Sequence, residues 1–146
     1  MHFKEIVGQS QLKSRLIQTV KEGRISHAQL FVGKSGFGPL PLAIAYVQFI
    51  ACKNKQETDS CGACPSCLKF NKLVHPDLHF SFPVSTTGGV KTKPVSDDFI
   101  NDWRALNLEK PYFDLEEWHK TIGIEQKQSI ISVHESQAII KKLKLK

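Results

Sequence analysis

Cys52, Cys61, Cys64 and Cys67 stand in the pattern C-x8-C-x2-C-x2-C, and they are all the cysteines of this 146-residue chain. Three of them fall within seven residues, which unrelated buried thiols would not do. Tetrahedral zinc takes four soft ligands, and x2 spacings let a backbone turn around one ion. The stretch CGACPSC supplies small and turn-forming residues between the ligands. The pattern therefore predicts a knuckle over 52–67 in which all four cysteines hold a structural Zn²⁺, with no coordination position left open. An iron–sulfur cluster is the alternative, since C-x2-C-x2-C also opens ferredoxin motifs; the upstream fourth cysteine and the missing downstream C-P favour zinc. His75 and His79 lie nearby but are not needed as ligands. His75 is expected in the turn of HPD and His79 on the polar side of a strand, while His2, His27, His119 and His134 read as isolated core or surface residues.

Metal is favoured over disulfides because the chain reads as cytoplasmic, where thiols stay reduced. No stretch approaches the roughly 20 apolar residues of a membrane span, and the opening MHFKEIVGQS lacks the apolar core of a signal peptide. Hydrophobic residues make up 40% and charged residues 23%, which excludes global disorder and suits one domain with a real core. The formal charge of +6 falls to about +4 once four thiolates hold one zinc, so charge alone argues little for nucleic acid.

A second feature lies in VGKSGFGPLPLA, residues 32–43. A phosphate loop needs G-x-x-x-x-G-K-[ST] between a strand and a helix: backbone N–H groups wrap the phosphates, the lysine neutralises them and the hydroxyl ligates magnesium. Gly33 and Gly38 provide the glycine frame, but Pro39 takes the lysine position and Leu40 the hydroxyl position. Proline also removes N–H groups from the cradle, at 39 and again at 41, although a helix start tolerates it. The GKS triplet at 33–35 is out of register, because Lys34 would need a glycine at 28, where Ala28 stands. The loop is expected to be degenerate, with no ATP bound and no catalytic residue.

Around these motifs, residues 10–23 predict a helix capped by Ser10 and stopped by Gly23. HAQLFV (27–32) predicts a buried strand, 39–51 an enclosed helix, and DLHFSFPV (77–84) a second strand by its alternation. STTGGVKTKP reads as a loop, followed by short helices capped at Asp98 and at Asp114 with Glu117. The final IEQKQSIISVHESQAIIKKLKLK reads as one helix of about five turns. Strand, glycine turn, helix and strand imply the start of a parallel α/β sheet, with a zinc-binding knuckle insert. Two strands make too small a sheet, so residues 1–146 are expected to be the N-terminal part of a larger domain.

The segment FKEIVGQSQLKSRLIQTVKEGRISHAQLFVGKSGFG, the helix ending in cysteine, the cysteine pattern and HPDLHF together resemble the N-terminal ATPase-type domain of bacterial clamp-loader subunits, the gamma/tau and delta-prime subunits of DNA polymerase III. The resemblance covers residues 3 to about 82, and IGIEQKQSIISV resembles the segment before the family's second nucleotide motif; residues 83–121 look like an insertion. It implies an incomplete P-loop, AAA+ type parallel-sheet core, a module that sits in a ring arc of loader subunits, where ATP drives opening of the sliding clamp. It also implies that Ile6 to Gln9 match the segment flanking adenine in ATP-binding members. Pro39 and Leu40 resemble the delta-prime type, a rigid partner rather than a motor. The implied partners are gamma/tau and delta, and indirectly the sliding clamp and primer-template DNA.

Two other functions stay open at this point. A stand-alone zinc-ribbon nucleic-acid binder would use Lys141, Lys142, Lys144 and Lys146, though these lysines are more simply a solvated helix face and no aromatic stacking set accompanies them. An active gamma/tau-like ATPase would need the lysine and hydroxyl that the loop lacks.

Overall fold

Helices, without a sheet, organise the described residues of the computed structural model: 1–34, 36–90 and 92–144. Ser35 of the GKS triplet, Lys91 of the expected loop, and Leu145 and Lys146 at the end of the last expected helix lie outside them. The α-helices are α1 (Ser10–Lys21), α2 (Pro39–Ala51), α3 (Pro65–Asn71), α4 (Ile100–Glu109), α5 (Leu115–Thr121) and α6 (Val133–Lys144), with 3-10 turns at Phe3–Glu5 and Ser96–Phe99. The chain divides into two units. One holds Met1–Leu78 with Lys110–Tyr112, the other His79–Glu109 with Phe113–Lys146.

The first unit is built on α2. Its residues Leu42, Ala45, Tyr46 and Phe49 pack with Phe3, Ile6, Leu16 and Ile17 in one buried cluster. Phe3 and Phe49 meet edge to face at 5.7 Å, a geometry that the ring quadrupoles favour. Helix α1 contributes one face only, Leu16 and Ile17, whereas α2 is apolar nearly all round and is covered on most sides, as its composition predicts. Ser10 is not the cap of α1. It is the first helical residue, and Gln9 precedes it in the left-handed region at φ 59° without a side-chain cap bond. Gly23 ends the helix in the left-handed conformation expected of it, φ 67°.

The second unit is centred on aromatic rings. Phe82 stacks on Trp103 at 4.1 Å and meets Trp118 edge to face at 5.0 Å. The indole N–H of Trp118 donates to the carbonyl of Pro83 at 2.8 Å, so the buried ring leaves no polar atom unmet. Asp114 caps α5 as expected, accepting from the N–H of Glu117 at 2.9 Å. Asp98 does not cap α4; it lies in the preceding 3-10 turn and accepts from the N–H of Val95 at 2.9 Å.

The expected α/β fold is not formed, and the P-loop, AAA+ type parallel-sheet core is absent from the described residues. Residues 27–32 are neither strand nor helix, and Leu30 and Val32 are 87% and 83% exposed. A strand is made by its neighbours, and among the described residues no second extended segment pairs with this one. Of the expected strand 77–84, only Val84 pairs, in a single antiparallel bridge to Ile130. Its alternation does hold as a burial pattern: Phe82 and Val84 are buried while Ser81 is exposed. The expected five-turn C-terminal helix is also shorter. Gly123 turns left-handed after α5, Ile124 is buried there, Ile130 joins the bridge, and helix resumes only at Val133. The β-branched run Ile130, Ile131, Val133 suits extended backbone better than a continuous helix.

Candidate metal centre and glycine loop

The knuckle grows out of two helix ends. Helix α2 stops at Ala51 and Cys52 turns extended, while Cys64 is the N-cap of α3, with Pro65 at its first position. Each step around the turn is held by an N–H pointing at a sulfur. Cys61 N donates to Cys52 Sγ at 3.3 Å, Cys64 N to Cys61 Sγ at 3.4 Å, and Cys67 N to Cys64 Sγ at 3.5 Å. The four Sγ atoms all lie within 4.8 Å of one another. Two of the separations are 3.6 Å (Cys52 to Cys61) and 3.9 Å (Cys61 to Cys67). A tetrahedral ion with metal–sulfur bonds of ~2.3 Å requires sulfurs ~3.8 Å apart. The residues present therefore fit a four-thiolate metal site.

The electrostatics set three of the four apart. The N–H of Cys67, and after it that of Lys53, pull the Cys64 thiol down to about 6. Cys61 is lowered by the N–H groups of Cys64 and Ala63. Burial pushes Cys67 up to about 12, so it ionises in its place only against a nearby cation. Cys61 and Cys64 are thus ready to ligate, while Cys67 needs the ion.

Several supporting residues had no signal in the sequence, because their partners are distant along the chain. Asp59 accepts from the N–H groups of Phe3 and Lys4 at 3.1 and 3.0 Å, fixing the N-terminal turn against the knuckle. His2, expected to be isolated, places Nδ1 3.0 Å from Ser60 Oγ, and its ring would collide with a Cβ at Gly62. Gln48, fully buried on α2, donates to Ser60 Oγ and Asn71 Oδ1. His75 is outside the sulfur cluster. It stacks on Phe70 at 4.4 Å, with Nε2 3.1 Å from Ser66 Oγ, and its carbonyl accepts from Leu78 N in the expected HPD turn. His79 belongs to the second unit.

Gly33 and Gly38 frame the glycine loop ahead of α2. Gly38 is the N-cap at φ 94°, Pro39 opens the helix, and Leu40 follows. Of the first three helical positions only Leu40 carries an N–H, since 39 and 41 are proline. The N–H of Leu42 is already bonded to the Gly38 carbonyl at 3.1 Å. Beside the loop lies a cleft of about 460 Å³, lined by Gln9, Leu12, Leu16, Gln29, Gly33 and Lys34 among others. Its walls are mostly apolar, and among the described residues Lys34 is the one cation that lines it. Among the described residues no helix is long and apolar enough to cross a membrane.

The chain matches the family described as DNA polymerase III, delta subunit, over residues 8–145. It is similar to the DNA polymerase III subunit delta' of Bacillus subtilis (strain 168), 32% identical over 75 residues, 51% of this chain and 22% of that protein. It is also similar to the DNA polymerase III subunit gamma of Buchnera aphidicola subsp. Acyrthosiphon pisum, 23% identical over 142 residues, 97% of this chain and 36% of that protein. A third relative, the gamma/tau subunit of Mycobacterium tuberculosis (strain ATCC 25618 / H37Rv), is 35% identical over 66 residues, 45% of this chain and 11% of that protein. The chain thus spans little more than a third, or less, of the length of these relatives. No solved structure matches it.

Proposed function

The chain belongs to the DNA polymerase III, delta subunit family, and from that premise we propose that it is a non-catalytic subunit of the clamp loader, of the delta-prime type. It contributes to the assembly that loads the sliding clamp in DNA replication. Its partners are the gamma/tau and delta subunits, and through them the clamp and primer-template DNA, in the cytoplasm. The observation that carries this reading is the start of α2. Pro39 and Leu40 replace the cation and the magnesium-ligating hydroxyl that phosphate chemistry needs, and the prolines strip the cradle of N–H donors.

Within this reading Cys52, Cys61, Cys64 and Cys67 hold a structural zinc in the knuckle 52–67, and 83–121 is an insertion in the N-terminal part of an ATPase-like domain. Zinc, when bound, supplies a fixed crosslink with no open position. The protein's own part is to present four sulfurs already oriented by backbone N–H groups.

The test mixes the chain with gamma/tau and delta subunits and separates the products by size, alongside equilibrium dialysis of the chain alone against Mg-ATP. Co-elution with the partners and no ATP retained by the chain alone is the expected result. ATP retained one to one, with phosphate release that disappears on Gly38→Ala, would establish an active ATPase instead. DNA binding by the chain alone that falls steeply with salt would establish the nucleic-acid binder.

A further inference from the structure

Residues 110–112 belong to the first unit, although the residues on either side of them in the chain belong to the second. Tyr112 accounts for this placement. Its hydroxyl oxygen accepts a hydrogen bond from the backbone N–H of Val7 at 2.8 Å, across a sequence separation of 105. Its ring lies against Gly38, so closely that a Cβ there would stand 2.7 Å from Cε1 and 3.3 Å from Cδ1. Its carbonyl oxygen is 3.5 Å from the Cβ position of Gly36. One side chain thus touches the turn ahead of α1 and the last glycine before α2, the two segments that converge at the loop.

The glycines gain a second explanation from this contact. Gly38 needs a bare Cα for its φ of 94°, and it also needs one to admit the tyrosine ring. The ring packs on the N-cap residue, beside the start of α2 where an anion would bind. The single remaining N–H of the first three helical positions, that of Leu40, offers little to displace it.

We propose that Lys110–Tyr112 is a strap that closes the glycine loop, with the Tyr112 ring filling the place over Gly38 and its hydroxyl tying down Val7, so that the loop keeps its shape without a bound nucleotide. The proposal rests on the non-catalytic reading above and deepens it: the loop has lost its phosphate chemistry, and it is also physically occupied. Tyr112 is a positioning residue here and reacts with nothing.

The experiment is hydrogen exchange followed by mass spectrometry on the whole chain, as wild type, Tyr112→Phe and Tyr112→Ala, each with and without Mg-ATP. Tyr112→Phe should speed exchange at Val7 about tenfold while leaving 36–38 nearly unchanged, because only the hydroxyl is lost. Tyr112→Ala should speed both, by about tenfold or more, with the 64–71 peptide unmoved. Mg-ATP should change nothing in the wild type. Wild-type exchange at Val7 and 36–38 in both variants would overturn the strap. So would Mg-ATP protecting 33–40 in the wild type while Val7 stays protected, because nucleotide and strap would then coexist. Protection by Mg-ATP in Tyr112→Ala alone would uphold the strap and sink the non-catalytic reading, so the two fail separately. Should Tyr112→Ala not fold, Tyr112→Phe carries the test through Val7.

Discussion

The carboxylate of Glu135, only 3% exposed, accepts a hydrogen bond from the backbone N–H of Ser96 at 2.7 Å. Ser96 in turn receives the N–H of Phe82 on its hydroxyl at 3.0 Å and lies within 3.3 Å of the Phe82 carbonyl. A buried carboxyl group is thereby joined through one serine to the aromatic centre of the second unit. Glu135→Ala leaves the Ser96 N–H unmet and should cost about 2–3 kcal/mol. Glu135→Gln keeps an acceptor and should cost less. Urea melts monitored by tryptophan fluorescence will rank them, and equal losses in the two variants would show that the hydrogen bond is not what matters.

The four clustered sulfurs fit a metal that would hold the knuckle in a different way from packing. Cys64→Ser should lower the bound metal from one ion per chain to well under half and loosen 52–67, since one of four ligands goes. Elemental analysis of protein purified without added metal checks both the count and the identity. Unchanged zinc would remove Cys64 from the ligand set, and iron with sulfide would replace zinc altogether.

Gln48 is fully buried and accepts from the α-amino group of Met1 at 3.0 Å while donating to Ser60 and Asn71. Replacing it by leucine removes three hydrogen bonds at once. Gln48→Leu should destabilise by about 2–4 kcal/mol despite the similar volume. A thermal melt unchanged by the substitution would mean that water takes over all three roles.

The same amine gives a pH dependence. Burial pushes the Met1 α-amino group below its usual 8.0. Between the lowered folded value and 8.0 the unfolded chain binds more protons than the folded one, so this group's contribution to stability rises with pH across that window and is flat above it. Melting temperatures taken from pH 6 to pH 9 should show the rise, and acetylating the amine should remove that part of it. An unchanged profile after acetylation would assign the slope to other groups.

Trp118 is 0% exposed and touches both Phe82 and Trp103. Trp118→Ala should cost about 3–5 kcal/mol, and Trp118→Phe less, the loss there including the bond to the Pro83 carbonyl. Circular dichroism in the aromatic region will follow the unfolding of this unit, and a loss under about 1 kcal/mol for alanine would contradict the packing described.

What the sequence determined by itself was local. The span of α2, the left-handed stop at Gly23, the cap at Asp114 and the convergence of the four cysteines all depend on residues within a few turns of one another. Glycine freedom, apolar periodicity and ligand spacing act at that range, and they were legible. The expected strands were not settled that way, because 27–32 and 77–84 carry strand-like patterns but strands exist only through a neighbour that local pattern does not supply. Val84 found one partner, Ile130, and Leu30 and Val32 found none. Tertiary structure alone decided that Asp59 would hold the N-terminal turn, that Glu135 would be buried under Ser96, and that Tyr112 would reach back across 105 positions to Val7. Each of those contacts is a hydrogen bond between groups whose meeting depends on the packing of everything between them, and no local pattern announces it.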